Sequence, residues 1–450
     1  MWDESRNACN AIEMLHNGNC IVTCYDGKPD LWNTKPPLLI WMQAASMKLF
    51  GTNELALRLP SAIAGLLTIL LIVLFVSRYY KNYYWGLLSG MILATMGGYI
   101  RYHITRTGDY DGLLSLFTTL SVLAFLLWME HPEKKRYIYI TATGFMFAIL
   151  TKSAQGIIIA APMLLLVVTS KNRRVFPSNK HLYIAAIACL LPVTVFVVLR
   201  EWMSPGYIQA ALYNDITGRY FSVIEGHEGD TFYFLRILFS FGAYFWIWLL
   251  LAAPPFIMVS TEKSQNKTLI FRLFLIALIF LLIASFSKTK GPQYIVSLYP
   301  LIALICGYVV YSAAINTYEL IHKNRWAVPA VSILILLTFM MPFRFVMEQN
   351  KKETLNLYDK ESFGYFIKKC PEYRHYYVLH DGYNAALIFY AHKYNRENYR
   401  IVLSEDTNFS VGDTVMICEQ SMITKLKATY VFVSLKEQDG CSLVQITGTK

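Results

Sequence analysis

The chain has 450 residues, of which 55% are hydrophobic and only 16% are charged. Soluble domains carry about a quarter charged residues, so this composition indicates a membrane protein and excludes an ordinary soluble enzyme. The formal net charge of +11 would point to nucleic acid in a soluble protein. Here most of the excess lies in short loops between apolar runs, where lysine and arginine set topology, so we expect no nucleic-acid partner.

The polar opening of the chain is predicted to contain two helices. Residues 3–16 end at the stop signal Asn17-Gly18, and their apolar positions recur at helical spacing: Ala8, Ala11, Ile12 and Leu15. Residues 36–50 form a second run that is too short to span a bilayer comfortably. It also contains polar and interfacial side chains: Trp41, Gln43 and Lys48. This second run is therefore predicted to lie at the membrane interface.

Residues 54–346 hold about ten apolar runs, each roughly long enough to cross about 30 Å of hydrocarbon. We place these spans near 55–77, 84–100, 112–129, 137–151, 155–170, 182–200, 235–259, 269–287, 293–315 and 326–345.

The loops between the spans form two sets. One set is short and basic, and the positive-inside rule predicts that it faces the cytoplasm. Its cations are Arg78, Lys81, Lys134, Lys135, Arg136, Lys171, Arg173, Arg174, Lys180, Lys263, Lys267, Arg272, Lys323 and Arg325. The other set is predicted to face outward with the amino-terminal stretch and the tail, and it comprises 101–111, 151–153, 201–234 and 287–293. Because nearly every carboxylate outside the tail lies in this outer set, we expect the chemistry there.

From about residue 350 the pattern changes to short β-type runs that alternate with helical ones. Strands are predicted at 376–380, 400–403, 415–418 and 429–433, helices at 384–392 and 419–426, and turns at Asp381-Gly382 and Asp439-Gly440. The predicted fold class is an α-helical polytopic membrane protein with a small C-terminal α/β domain. Its predicted parts are an outer-face stretch (1–53), a transmembrane domain (54–346) and a non-cytoplasmic α/β domain (347–450).

The eight cysteines show no metal-ligand spacing. Cys20 and Cys24 are four apart, but no second pair follows, so a zinc site is only weakly indicated. Six cysteines outside the predicted spans are compatible with a disulfide whose pairing the sequence leaves open: Cys9, Cys20, Cys24, Cys370, Cys418 and Cys441.

The candidate catalytic groups are acids of the outer face. Asp3 and Glu4 precede the first helix, where an N-cap aspartate and a first-turn glutamate also have a purely structural explanation. Asp109 and Asp111 lie where the chain re-enters the membrane, and Asp111 could likewise be an N-cap. Two acids with two arginines at a membrane boundary are more than capping requires, so we interpret them as functional.

Basic residues are a second feature of this outer face, which should be poor in them. Any single lysine here is better explained by snorkelling to lipid headgroups. Together they offer a cationic lining suited to a phosphate: Lys35, Lys152, Lys288, Lys290, Arg106 and Arg219.

Several short motifs also follow one another in a fixed order. They are Trp2-Asp-Glu-Ser-Arg6, Glu13-Met-Leu15, Lys35-Pro-Pro-Leu-Leu39, Phe50-Gly51, Arg58-Leu-Pro-Ser61, Arg106 to Leu114, Leu150-Thr-Lys152 and Ser287 to Pro300. The series resembles the GT-C polyprenyl-phosphate glycosyltransferases, on the branch of protein O-mannosyltransferases and lipid A aminoarabinose transferases. The resemblance covers roughly residues 2–345 and leaves out the tail.

This resemblance implies an inverting transfer of a hexosyl or pentosyl group from a polyprenyl-phosphate donor to a lipid, glycan or protein acceptor. It places the protein in a bacterial inner membrane, with its active site on the non-cytoplasmic side. Asp3, next to Glu4, resembles the general base. Asp111 resembles a second acid that orients the acceptor or stabilises the oxocarbenium-like centre. Lys35 resembles the group that neutralises the departing phosphate.

The chain departs from the family pattern at two places. Lipid A transferases have a glutamate before the lysine that helps to hold a metal, and Thr34 stands here instead. His227 resembles the histidine of that metal site, but because the glutamate is missing no cofactor is predicted, although a divalent metal stays open. The relatives also begin with a membrane helix before the Asp-Glu motif, and we expect upstream codons to encode one. A polytopic transporter is the alternative function, but its polar groups should lie at mid-span in broken helices.

Overall fold

The structure is a computed structural model, and it describes residues 2–101, 103–170, 178–224, 226–259, 264–321, 326–358 and 362–450. Six cations of the predicted cytoplasmic loops lie outside the described residues: Lys171, Arg173, Arg174, Lys263, Lys323 and Arg325.

The polar opening forms helix α1 (Trp2–Asn17), a short antiparallel pair β1 (Cys24–Tyr25) and β2 (Lys28–Pro29), and helix α2 (Leu38–Phe50). The two helices predicted at 3–16 and 36–50 are therefore confirmed. Helix α1 ends where expected, because Gly18 adopts a positive φ of 67° that a residue with a Cβ rarely takes.

The apolar part of the chain is helical. Its helices are α3 (Glu54–Tyr79), α4 (Tyr83–Ala94), α5 (Asp111–Glu130), α6 (Arg136–Ile158), α7 (Ala160–Thr169), α8 (Lys180–Met203), α9 (Tyr207–Ala211), α10 (Gly218–Phe221), α11 (Tyr233–Ile237), α12 (Ile247–Val259), α13 (Ser264–Ser285), α14 (Tyr299–Ile321) and α15 (Ala327–Tyr358). Irregular helical turns join some of them: two π-helical segments (Leu212–Thr217 and Leu238–Gly242) and one 3-10 segment (Pro292–Leu298).

Among the described residues, six helices are long and apolar enough to cross a membrane, or up to eight if each of two bent pairs is one span. The sequence analysis expected about ten spans. Helix α4 has only 12 residues and ends at Ala94 instead of continuing to residue 100. The spans predicted at 137–151 and 155–170 instead form one pair, α6 and α7, bent by 58°. These two differences reduce the expected ten spans to the upper number of eight.

The apolar helices approach each other closely at small residues. A Cβ added to Gly307 of α14 would lie 2.1 Å from the Ser89 hydroxyl oxygen of α4, and one added to Gly144 of α6 would lie 2.9 Å from Ser121 of α5. The Ser121 hydroxyl also donates to the Thr141 carbonyl at 2.9 Å. Such contacts hold helices together where lipid offers no hydrophobic driving force between them.

The tail forms helix α16 (Ser362–Lys369), β3 (His375–Leu379), α17 (Ala385–Asn395), β4 (Arg400–Ser404), β5 (Thr414–Ile417), α18 (Gln420–Thr429), β6 (Tyr430–Gln438) and β7 (Cys441–Thr449). The strand order is β4-β3-β5-β7-β6. Strand β3 pairs in parallel with β4 and β5, and β7 pairs antiparallel with β5 and β6. The predicted α/β character of the tail is confirmed.

Strand β7 was not predicted. It forms a hairpin with β6 through Asp439 and Gly440, whose φ values of 51° and 77° are those of a tight two-residue turn. A disulfide joins Cys418, directly after β5, to Cys441 at the start of β7. This is the pairing that the sequence left open.

The chain forms two compact units. The first comprises Met1–Asp30, Gln43–Leu57 and Asn350–Lys450, and the second comprises Leu31–Met42 and Arg58–Gln349.

Within the first unit, α1 packs directly on α17 of the tail. The Cys9 thiol donates to the Ala385 carbonyl at 3.2 Å, and burial raises the pKa of this thiol. The Arg6 guanidinium lies 5.4 Å from the centre of the Tyr383 ring and forms two 2.8 Å hydrogen bonds with the Asp30 carboxylate. The helix that carries the predicted catalytic acids is therefore packed against the α/β tail, although the two are far apart in sequence.

Candidate active site

A buried ion pair of the second unit joins Asp111 and Lys152. Asp111 is the first residue of α5 and is 3% exposed, and Lys152 is 8% exposed. The Lys152 ammonium donates to both carboxylate oxygens, at 2.7 and 2.8 Å. The sequence analysis placed Lys152 in a loop between spans. In the structure it lies inside α6, at a break where Lys152 and Ser153 depart from helical geometry.

Tyr294 of the 3-10 segment links this ion pair to Arg219. The Lys152 ammonium lies 5.6 Å from the centre of the Tyr294 ring, and the Arg219 guanidinium donates to the Tyr294 hydroxyl at 2.7 Å. Three predicted site residues, Asp111, Lys152 and Arg219, thus lie in one cluster.

Asp109 lies in a separate group of polar residues. The Thr107 hydroxyl donates to its carboxylate at 2.6 Å, and His103 Nδ1 is 3.5 Å from the same oxygen. The Ser61 hydroxyl donates to the Asp109 carbonyl at 2.8 Å. A Cβ on Gly112 would come within 2.9 Å of the Ser61 carbonyl, so this close approach requires glycine. Two of the short motifs of the sequence therefore contact each other here.

Lys35 lies in a segment that we call the lysine loop (Asn33–Lys35). Its ammonium is 5.5 Å from the centre of the Tyr110 ring. The Asn33 amide donates to the Tyr110 hydroxyl at 3.0 Å. Because Tyr110 immediately precedes Asp111, the lysine loop is attached beside the ion pair.

Two predicted outer segments, 201–234 and 287–293, are hydrogen-bonded to each other. The backbone N–H of Lys288 donates to the Tyr220 carbonyl at 3.0 Å, and that of Lys290 donates to the His227 carbonyl at 2.8 Å. The two segments therefore lie at the same end of the second unit.

The remaining predicted cations and His227 are placed differently. The Lys288 side chain is exposed, and Arg106 is half-buried. Lys290 is 3% exposed, and its ammonium donates to the Ser285 carbonyl, at the end of α13, at 2.5 Å. Burial lowers the pKa of Lys290. His227 is exposed, and within the described ranges it joins no group of three or more His, Cys, Asp or Glu side chains suited to a metal.

Asp3 and Glu4 belong to the first unit. Both lie in the first turn of α1, where the helix dipole favours negative charge. Asp3 is exposed, whereas Glu4 is 3% exposed. Their catalytic role stays a prediction.

Comparisons with known proteins agree with the sequence motifs. Residues 34–198 match the family model described as dolichyl-phosphate-mannose-protein mannosyltransferase. The undecaprenyl phosphate-alpha-4-amino-4-deoxy-L-arabinose arabinosyl transferase of Pseudomonas savastanoi pv. phaseolicola is 26% identical over 322 residues, which is 69% of this chain and 57% of the relative. An uncharacterized protein of Aquifex aeolicus is 25% identical over 92% of this chain and 86% of its own length.

Solved structures show the same fold. The crystal structure of ArnT from Cupriavidus metallidurans bound to undecaprenyl phosphate matches with a TM-score of 0.73 at 15% identity, over 98% of this chain and 93% of that one. The archaeal oligosaccharyltransferase AglB from Archaeoglobus fulgidus matches with a TM-score of 0.52 at 13% identity, over 90% of this chain and 60% of that one.

The chain has the fold of these structures, and the family model and the relatives support the GT-C branch that the motifs resemble. It is an integral membrane protein. The chain spans 65% and 57% of the length of two of the relatives that it matches.

The resemblance implies a metal near Thr34 and His227, but these residues do not suit one. The Thr34 hydroxyl donates to the Asp215 carboxylate at 3.2 Å, and a hydroxyl is a poor substitute for a carboxylate ligand. His227 is exposed. Thr34 and His227 therefore do not fit the metal site that the resemblance implies.

Several residues of the candidate site were missed by sequence reasoning. Tyr294, Tyr110 and Ser61 each lie inside a motif of the family series, but a tyrosine or serine in an apolar protein carries no signal of its own. Their membership in the ordered motifs was the only signal that could have identified them.

Proposed function

We propose that this chain is an integral membrane glycosyltransferase that moves a sugar from a polyprenyl-phosphate donor to a lipid, glycan or protein acceptor, with inversion at the anomeric carbon. The observation that carries the proposal is the cluster around the Asp111–Lys152 ion pair, with Arg219 attached through Tyr294 and the lysine loop attached through Tyr110. Buried ionisable groups at the boundary of a membrane protein are costly, and they are typical of functional sites.

The charge balance of this cluster fits the departure of a phosphate. A polyprenyl-phosphate sugar is a diester with about one negative charge, and the monoester that leaves carries nearly two. Positive groups held in place therefore interact more strongly with the transition state than with the bound donor. We assign the phosphate contacts to Lys35 and Arg219.

Lys152 and Lys290 have other roles in this proposal. Lys152 donates two hydrogen bonds to Asp111, so it holds that carboxylate in place. Lys290 donates to the end of α13 and stabilises the segment that carries Tyr294. The exposed Lys288 and the half-buried Arg106 remain candidates for contact with the donor.

The acids act on the acceptor and on the sugar. Asp111, held by Lys152, orients the acceptor or stabilises the positive charge that develops on the sugar ring. Asp109 fixes the loop before α5. The role of Asp3 as general base, with Glu4 beside it, rests on the family motif.

The names of the relatives suggest the donors to test. One names an aminoarabinose, which is a pentose, and the family model names mannose, which is a hexose. We propose that the donor lipid is undecaprenyl phosphate and that transfer occurs on the non-cytoplasmic face of a bacterial inner membrane. Neither the family model nor the named relatives support the transporter alternative.

The test uses the purified full chain in proteoliposomes with two labelled donors, undecaprenyl-phosphate aminoarabinose and undecaprenyl-phosphate mannose. Lipids and proteins of the host membrane serve as acceptors. We expect one donor to release undecaprenyl phosphate while its label passes to an acceptor, and Asp111→Asn to abolish both. Movement of an intact donor across the bilayer without cleavage would favour transport and overturn the proposal.

A further inference from the structure

A helical run that comprises α9, the π-helical segment and α10 (207–221) is attached to the lysine loop. The Tyr207 hydroxyl donates to the Thr34 carbonyl at 2.9 Å, and the Thr34 hydroxyl donates to the Asp215 carboxylate at 3.2 Å. Tyr207 is 3% exposed, and burial, reinforced by the charge of Asp215, raises the pKa of its hydroxyl. The tyrosine therefore stays protonated and keeps its place as a donor.

Asn214 of the same run holds the chain just before the lysine loop. Its side-chain amide donates to the carbonyls of Leu31 and Trp32 at 3.2 and 3.4 Å. Asn214 and Asp215 both lie in the π-helical segment Leu212–Thr217. A π turn fits one extra residue into a helix and is frequent at functional sites.

The lysine loop is consequently held on both sides of Lys35. Asn33 attaches it to Tyr110, beside Asp111, and Thr34 attaches it to Asp215. The same helical run carries Arg219, four residues after Asp215, and Arg219 is bonded to Tyr294. One short run thus contacts the loop of one proposed phosphate-binding cation and supplies the other.

We propose that Thr34, Asn214 and Asp215 are positioning residues that set the Lys35 ammonium relative to the Arg219 guanidinium. This inference rests on the proposed function, which assigns these two cations to the phosphate. A hydroxyl that donates to a carboxylate forms a charge-assisted bond, which is stronger than a neutral one. Holding the backbone of the loop restricts the ammonium to a small region, and fixed orientation of charged groups is a large part of catalysis.

The test begins with Thr34→Val, which removes the hydroxyl and keeps the shape of the side chain. We expect it to lower kcat by roughly tenfold to a hundredfold, the loss that slight misplacement of a reacting group can cause. Thr34→Ser keeps the donor and should recover most of the rate. Thr217→Val is the matched control, because among the residues that the structure describes the Thr217 hydroxyl bonds within the same run, to the Leu212 carbonyl at 3.1 Å, and it should leave kcat unchanged.

A double variant separates positioning from a merely structural role. If Thr34 acts through Lys35, then Thr34→Val should add little to the loss caused by Lys35→Ala, because residues that act as a unit are not additive. The inference would be overturned if the loss of rate in the double variant equalled the product of the losses in the two single variants. It would also be overturned if Thr34→Val transferred sugar at the wild-type rate.

A second measurement needs no activity. A nitroxide label is attached at Lys35→Cys after the six free cysteines are replaced by serine and the Cys418–Cys441 disulfide is kept. The label should become more mobile in Thr34→Val and stay unchanged in Thr217→Val. A mobile label with no transfer from either donor in any variant overturns the proposed function only. If the label is equally mobile with and without Thr34→Val, and the unlabelled protein with native Lys35 transfers sugar, the positioning role is overturned.

Discussion

Removing Lys152 tests whether the ion pair with Asp111 exists as the structure shows it. Lys152→Met keeps the length of the side chain but leaves the Asp111 carboxylate buried, at 3% exposure, without the ammonium that donates two hydrogen bonds to it. Breaking a buried pair by removing one partner costs about 3–5 kcal/mol, because an uncompensated charge remains. In a chain of this size, that loss should lower the unfolding midpoint by on the order of 5 °C.

The measurement is thermal unfolding of the detergent-solubilised protein, followed by intrinsic tryptophan fluorescence. The double variant Asp111→Leu with Lys152→Met replaces both charges by apolar groups and should recover most of the lost stability, but it should not transfer sugar. Lys288→Met is the control, because that lysine is exposed and should not change the midpoint. A midpoint of Lys152→Met within about 1 °C of the wild type would refute the reasoning, because breaking a buried ion pair by removing one partner is strongly destabilising.

Four further predictions concern the reaction, the topology and the tail. Asp3→Asn should lower turnover at least about a hundredfold with donor binding unchanged, and wild-type transfer by the folded variant would remove Asp3 from the role of base. Lys35→Ala should lower turnover at saturating donor, and Lys35→Arg should restore it only in part, because a planar guanidinium does not replace the point charge of an ammonium. If Lys35→Ala turned over at the wild-type rate, the lysine would only contact lipid headgroups. In a background without the native cysteines, a membrane-impermeant thiol reagent should label single cysteines in intact cells at Ser5, Ser287 and Ser434. Labelling at Ser178 should need permeabilisation, and a Ser434 result that matches Ser178 would reverse the predicted side of the tail. Cys418→Ala should destabilise the tail by about 3 kcal/mol, as expected for the loss of a disulfide that closes a loop of 23 residues. Limited proteolysis measures this, and a variant whose tail resists protease as well as the wild type would contradict it.

Hydrophobic pattern and turn chemistry were sufficient for the class of the protein and for most of its helices. The runs at 3–16, 55–77 and 112–129 each became a helix, because helix formation depends on the spacing of apolar residues over a few turns. The α/β tail followed from local strand and turn signals in the same way. The second hairpin strand, Cys441–Thr449, was missed, although it lies between β5 and β6 in the sheet, because strand formation depends more on the neighbouring strands than on local propensity.

In the candidate site, too, some features could be predicted from the sequence and others only from the tertiary structure. The family motifs predicted site roles for Asp111 and Lys35, the set of outer-face cations added Arg219, and the structure attaches all three to one cluster. The partners of these residues came only from the tertiary structure. Lys152 proved to pair with an acid 41 residues away, at a break in a helix that the sequence read as a loop.

The partners of Lys290 and Tyr294 were also not predictable from the sequence. Lys290 reads in the sequence as one more cation for a phosphate, yet it bonds the end of α13. Tyr294 carries no sequence signal besides its place in a motif, yet it receives a hydrogen bond from Arg219, 75 residues away. A local sequence pattern determines which face of a helix is apolar. The partner of a buried polar group depends instead on which helices pack together and where they bend, so it is determined only when the whole bundle assembles.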